Sequence, residues 1–208
     1  MAAKRSSSTS SELPQRAFAD ARAWDAWLAA EHATARGVWM EIAKKGSGIR
    51  SVTYAEALDV ALSWGWIDAQ KRSLDARRFL QQFSPRGKRS IWSKVNREKI
   101  AALEAAGRMK EPGRAAVAAA KADGRWDRAY DSPARATPPP DLLSALAKSA
   151  KAQKLFAELD SANRYAILHR VATAKKPETR ANRIATFVAM LARGETLHPR
   201  RKAKPSRR

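Results

Sequence analysis

The sequence predicts an α+β protein: a small, mainly antiparallel sheet of about three strands packed by helices, followed by a helical C-terminal module. Three observations carry this. Alternation of apolar and polar residues is confined to residues 37–85, where the elements read β–α–β–β. After Gly87 the apolar residues recur at helical spacing for most of the remaining chain. Between Asp131 and Pro140 a Pro-rich stretch interrupts the helical pattern and marks a boundary.

The first helix starts at Asp20, a good N-cap, and places Ala23, Trp24, Trp27 and Leu28 on one face. Gly37 breaks the chain. Residues 38–45 then alternate as a strand with Val38, Met40 and Ile42 on one side, ended by Gly46-Ser47-Gly48. Thr53 and Glu56 form a capping box for a second helix bearing Tyr54, Leu58, Ala61 and Leu62, which stops near Gly65. Two strands follow, 66–71 and 78–83, joined around Ser73-Leu74-Asp75 and closed by Pro85. A third helix presents Trp92, Val95 or Asn96, Ile100, Leu103 and Ala106, and stops at Gly107. Residues 113–123 form an Ala-rich helix ending at Gly124. Beyond the Pro-rich stretch come four short helices. Asp141 caps one carrying Leu142, Leu143 and Leu146; the others carry Leu155, Phe156 and Leu159, then Tyr165, Leu168 and Val171, then Ile184, Phe187, Val188 and Leu191. Helices of about three turns are individually marginal, so this set is expected to pack as a module.

Composition narrows the chemistry. With no cysteine, the chain holds no disulfide, thiolate metal site, iron–sulfur cluster or cysteine nucleophile. The N-terminus lacks an apolar signal core and no apolar run approaches the ~18 residues of a membrane span, so a soluble, cytoplasmic protein is expected. His32, His169 and His198 are isolated, and no phosphate-loop, dinucleotide or nucleophile-elbow motif occurs; no metal or cofactor is expected. The net charge is +21, of which residues 1–16 hold +2, residues 200–208 hold +6, and residues 71–99 hold +8. Such a field attracts polyanions: nucleic acid, an anionic surface or an acidic protein.

Several strings resemble the YdeI/OmpD-associated (bacteriocin-protection) family. They are Lys44-Lys45 after a strand, Ala61-Leu62-Ser63-Trp64-Gly65-Trp66-Ile67-Asp68, Phe83-Ser84-Pro85-Arg86, Ser90-Ile91-Trp92-Ser93-Lys94-Val95-Asn96, Gly107-Arg108-Met109 and Lys175-Lys176-Pro177-Glu178-Thr179-Arg180. The resemblance spans roughly residues 17–199 and departs at Ser63, where relatives commonly carry cysteine. It implies an association with bacteriocin or envelope-stress protection and brings no catalytic residue with it. The expected organisation is a Ser-rich tail over 1–15, an α+β domain over 16–130, a linker over 131–140, the family-like helical module over 141–198 and a basic tail over 199–208.

Candidate binding residues cluster in one loop. Arg86, Lys88 and Arg89 precede a helix that Ser90 or Ser93 can cap; first-turn N–H groups and guanidinium groups together suit a phosphate or carboxylate. Asn96 lies on or beside the apolar face, where a buried amide needs partners. Trp39 and Trp66 are out of phase with the neighbouring strand residues and so fit the sheet's second face: either exposed beside Lys44, Lys71 and Arg78 as a base-stacking platform, or covered there by helices. Asp75 reads as a turn residue and Asp68 as the partner of a basic neighbour. The function read from these residues is polyanion binding through residues 71–99, with Lys44 and Lys45 contributing. The alternative is a small-ligand sensor or enzyme with a cleft lined by Trp66, Asp68, Arg86, Ser90 and Asn96.

Overall fold

A computed structural model describes residues 13–199; the predicted tails lie, over 1–12 and 200–208, outside the described residues. The elements run β1 (Gln15–Ala17), α1 (Ala21–Glu31), β2 (Val38–Ala43), α2 (Tyr54–Ser63), β3 (Trp66–Ser73), β4 (Arg78–Pro85), α3 (Lys94–Ala105) and α4 (Glu111–Ala122). Four more helices follow: α5 (Pro140–Ala147), α6 (Ala150–Glu158), α7 (Ser161–Ala172) and α8 (Pro177–Ala192). The fold is α+β. Its sheet has four strands in the order β1-β2-β4-β3, one more than the alternation pattern indicates. The extra strand is β1, three exposed residues running parallel to β2. It has no buried face, hence no hydrophobic alternation to read. Gln15, assigned by composition to the tail, opens this strand.

The chain divides into two compact units. The first comprises the residues up to Ser90 together with Glu98–Trp126; the second comprises Ile91–Arg97 and the residues from Asp127 onward. The division thus falls ahead of the Pro-rich stretch. Residues 127–139 join the second unit because their backbone is already committed there: the Tyr130 N–H donates to the Trp92 carbonyl at 3.0 Å and Lys94 N–H to the Tyr130 carbonyl at 2.9 Å.

Local signals behave as expected in the first unit. Asp20 accepts from the Ala23 N–H at 2.9 Å to start α1. In α2, Thr53 and Glu56 close a reciprocal capping box, and the hydrogen bonds from Thr53 hold the Glu56 carboxyl below its ordinary range. The strand alternation buries Val38, Met40 and Ile42 beside Phe83. Against them stands an aromatic cluster: Trp24 stacks on Trp27 at 5.2 Å, and the edge of Trp66 meets Trp24 at 6.1 Å. The Trp24 indole N–H donates to the Ala57 carbonyl at 3.1 Å, so its polar group is satisfied inside the core. Trp66 is only 1% exposed, which excludes it from an exposed base-stacking platform. Turning its ring outward would expose one of the largest apolar surfaces in the unit.

Where α2 meets α4 only glycine fits. Gly65 has φ +74°, and a Cβ there would lie 2.9 Å from the Pro112 carbonyl oxygen. Gly113, inside α4, sits so close to the end of α2 that a Cβ would fall 2.1 Å from the Ser63 carbonyl oxygen. That oxygen accepts the Lys110 N–H at 3.0 Å, locking the two helix ends together.

The second unit has its own core, built from Leu142 and Leu146 of α5, Ala152, Leu155 and Phe156 of α6, Ile167, Leu168 and Val171 of α7, and Ile184, Phe187 and Leu191 of α8. Leu143 is 50% exposed, so α5 offers only two of its three leucines to the core. Its helix starts two residues early, at Pro140 with Pro139 as N-cap; Asp141 takes the Leu142 N–H from within the first turn. Asn163, 1% exposed, clamps the C-terminal segment by accepting the His198 N–H at 2.9 Å and donating to the His198 carbonyl at 3.2 Å. No helix among the described residues is long and apolar enough to cross a membrane.

Candidate functional site

The β3–β4 hairpin ends in a basic, partly aromatic depression. Between Asp68 and Lys71 the register of β3 against β4 shifts by a bulge. The bulge frees the Gln70 carbonyl, and the buried Gln81 amide donates to it at 3.1 Å. Past the bulge, Lys71 pairs with Gln81, Arg72 with Leu80 and Ser73 with Phe79. Paired residues share a face, so Lys71 and Arg72 leave the strand in opposite directions. The Lys71 ammonium lies 4.0 Å over the Phe79 ring, and the Arg72 guanidinium 4.3 Å over the Trp39 ring.

Lys44 and Lys45 complete the depression from the end of β2. The Lys44 N–H donates to the Arg77 carbonyl at 2.8 Å and its ammonium to the Asp75 carbonyl at 2.7 Å. This fixes the stem of an exposed side chain while leaving its charge uncompensated by a carboxylate. Phe79, Lys44, Lys45, Lys71 and Arg72 line a cavity of about 440 Å³ that shares Phe79 and both lysines with a neighbouring cavity of about 470 Å³. The second cavity is walled by the turn 46–49 and by Val52, Thr53 and Tyr54. Among the described residues, no carboxylate lines either one.

The other cations of residues 71–99 are spent differently. Arg78 donates to Glu41 at 2.6 Å and to Asp75 at 2.9 Å, and its guanidinium pKa is raised chiefly by the hydrogen bond to Asp75. Asp75 also accepts the N–H groups of Arg77 and Arg78, each at 2.7 Å; the Arg77 bond leads in holding its carboxyl below the ordinary range. It is the turn residue its position suggests. Arg77 reaches the Ser47 carbonyl, Lys94 pairs with Asp131 at 2.9 Å, and Lys99 pairs with Asp59 at 2.6 Å.

The remaining candidates are dispersed. Arg86 reaches Ser90 Oγ at 3.4 Å and is half-buried; Lys88 and Arg89 are exposed on the loop. Ser90 does not cap α3. Ser93 does, accepting the Asn96 N–H at 3.1 Å. The neighbouring first-turn donors are also taken, Lys94 N–H by the Tyr130 carbonyl and Arg97 N–H by the Ser93 carbonyl. Two of the first-turn donors that could bind an anion here, Lys94 N–H and Asn96 N–H, therefore already have internal partners. Asp68 accepts from the Tyr54 hydroxyl at 2.8 Å, a tyrosine where a basic partner was expected. Trp66 is buried against Trp24 and Trp27. Asn96 is half-buried with its side-chain amide hydrogen-bonded to no described residue; the buried, fully engaged amide of this chain is Asn163. Ser93 and Asn96 belong to the second unit, and Trp66, Asp68, Arg86 and Ser90 to the first.

Phe79 and Arg72 are the site residues that sequence reasoning passed over. Their signal was present as a Lys-Arg pair opposite an aromatic residue across a hairpin, but pairing them required the bulge, which no local spacing reveals.

Comparison with known families divides the chain. Residues 16–116 match a family described as Domain of unknown function (DUF8412), and residues 135–194 match the family described as Bacteriocin-protection, YdeI or OmpD-Associated. The strings around Gly65–Asp68 and Ser90–Asn96 fall in the first match, so the resemblance read over 17–199 rests, for the second family, on the C-terminal module. No curated protein and no solved structure matches the chain.

Proposed function

From a chain that carries a YdeI/OmpD-associated domain over residues 135–194, we propose a binding protein acting in bacteriocin or envelope-stress protection. Its first unit holds a polyanion, and single-stranded nucleic acid is the polyanion that suits the depression best. One observation supports this reading above the others: Lys44, Lys45 and Lys71 gather about the Phe79 ring, Arg72 lines the same cavity, and no carboxylate lines it among the described residues. The lysines would take backbone phosphates while a base displaces the Lys71 ammonium from Phe79. An exposed cation–π contact is worth ~0.5–1 kcal/mol, and a base stacked on an aromatic ring ~1–3 kcal/mol, so the exchange is favourable. A duplex, whose bases are already stacked, gains only the phosphate term.

Fluorescence anisotropy with a short pyrimidine single strand and the matching duplex tests this. The single strand should bind more tightly, and Phe79→Ala should weaken it by roughly 5- to 100-fold, the equivalent of one lost stacking contact. Equal binding of both forms, unaffected by Phe79→Ala, would leave only a diffuse charge effect and remove the base-binding part of the proposal. No binding of either form at low salt would remove the polyanion reading altogether.

A further inference from the structure

We propose that the second unit carries a separate binding site for an uncharged, planar aromatic small molecule whose edge bears a hydrogen-bond donor and an acceptor. The site is independent of the basic depression in the first unit. It is a cavity of about 450 Å³, within the range usual for small-molecule pockets, formed by the stretch 136–140, Tyr130 and Asp131, α7 and Arg180 of α8.

Flat apolar surfaces form about half of its wall. Pro138, Pro139 and Pro140 line one part, Leu168 another, and three rings meet within it: His169 stands edge-on to Tyr130 at 4.7 Å and tilted to Tyr165 at 5.6 Å. Rigid prolines and interlocked rings lose little freedom on binding, which favours a planar guest.

The charged groups of the wall are neutralised from within. The Arg180 guanidinium grips Asp141 through Nε at 2.6 Å and Nη2 at 2.9 Å, while Nη1 donates to the Val171 carbonyl at 3.0 Å. Each of its nitrogens is therefore engaged, and an incoming carboxylate would have to break an existing fork. Asp131 is paired with Lys94 at 2.9 Å. Burial, aided by Arg170 and Arg183, holds the His169 pKa below its ordinary value, so the imidazole is neutral near pH 7. A charged ligand would lose its hydration and find no free counter-charge here.

What the wall does offer is an unspent neutral edge. Neither ring nitrogen of His169 is hydrogen-bonded to a described residue, so the neutral imidazole presents one N–H donor and one lone pair. The Tyr165 hydroxyl donates to the Asp131 carbonyl at 3.1 Å and keeps its oxygen as an acceptor. A guest with a primary amide or hydroxyl at the rim of its ring meets both.

The full-length chain is titrated with three probes sharing one bicyclic ring: indole-3-carboxamide, indole-3-carboxylate and tryptamine, being neutral, anionic and cationic. The readout is the imidazole NMR signal of His169, one of three histidines in the chain, assigned by its loss in His169→Gln. The carboxamide should shift it saturably, with the two charged analogues at least about 10-fold weaker and Tyr165→Phe weakening the carboxamide by about 3- to 10-fold. Ala172→Phe, at an exposed position on the cavity wall, should abolish the shift by filling the cavity. Equal response to all three probes, tighter binding of a charged one, no response at all, or undiminished binding by a folded Ala172→Phe chain would each overturn the proposal. The ranking of probes is measured on the unaltered chain and does not depend on any variant folding.

Discussion

Replacing Lys71 and Arg72 together by glutamine gives the sharpest quantitative test of where a polyanion sits. For single strands, log K falls against log salt with a slope of ~0.7 per neutralised phosphate. If each side chain neutralises one, the double variant should flatten the slope by ~1.4. Raising salt from 50 to 200 mM, a fourfold change, then weakens the parent by roughly 7-fold more than the variant. Using the difference between chains removes the contribution of the six basic residues in 200–208, which both share. The fold should survive, because the substitution gives up two cation–π contacts of ~0.5–1 kcal/mol each against a typical stability of ~5–15 kcal/mol. Anisotropy titrations at four salt concentrations supply the slopes, and Lys88→Gln/Arg89→Gln serves as the comparison from the exposed loop. An unchanged slope in the hairpin variant, or a flattening found only in the loop variant, would refute the assignment and return the binding to the 86–90 segment.

Two further outcomes are expected. Gly113→Ala pushes a methyl group to 2.1 Å from the Ser63 carbonyl oxygen, a backbone atom that cannot rotate away. A cost of ~1–3 kcal/mol should lower the melting temperature by several degrees in a thermal scan, whereas Gly107→Ala, with nothing within 4 Å of the added carbon, should lose only what its left-handed backbone demands. Burial raises the Tyr165 pKa to about 12, above the ordinary value of 10. Because the unfolded chain gives up this proton first, stability assigned to Tyr165 is complete below pH 10 and declines as pH rises from there toward 12. Absorbance at 295 nm should therefore show one of the three tyrosines ionising late, and Tyr165→Phe should remove that step. If the step lost in that variant lay near pH 10, it would contradict the burial.

Much of this molecule follows from spacing along the chain. Asp20, the Thr53–Glu56 box and Pro177 start their helices through groups three residues away or fewer, so sequence alone places them. The alternation of Val38, Met40 and Ile42 fixes a strand face for the same reason: side-chain direction is set by backbone period. Composition likewise located the excess positive charge. Periodicity says which residues share a face, but never which distant element covers it. Trp39 and Trp66 illustrate this: both stand out of phase with their neighbours, yet Trp66 is enclosed by Trp24 and Trp27, while Trp39 lies on the face Arg72 covers. Whether a cation is free or spent is equally a tertiary matter, since Arg78 meets Glu41 across 37 residues and Lys99 meets Asp59 across 40. His169 was an isolated histidine in the sequence. It becomes part of a wall only because the Pro-rich stretch folds onto α7 and brings Tyr130 against it. The sequence by itself determined most of the elements, the caps at Asp20 and Thr53 and the sign of the charge, because those depend on short-range backbone geometry and composition. Only the tertiary structure decided which charges stay unpaired and which rings line a cavity, because those depend on contacts between residues whose separation along the chain carries no period.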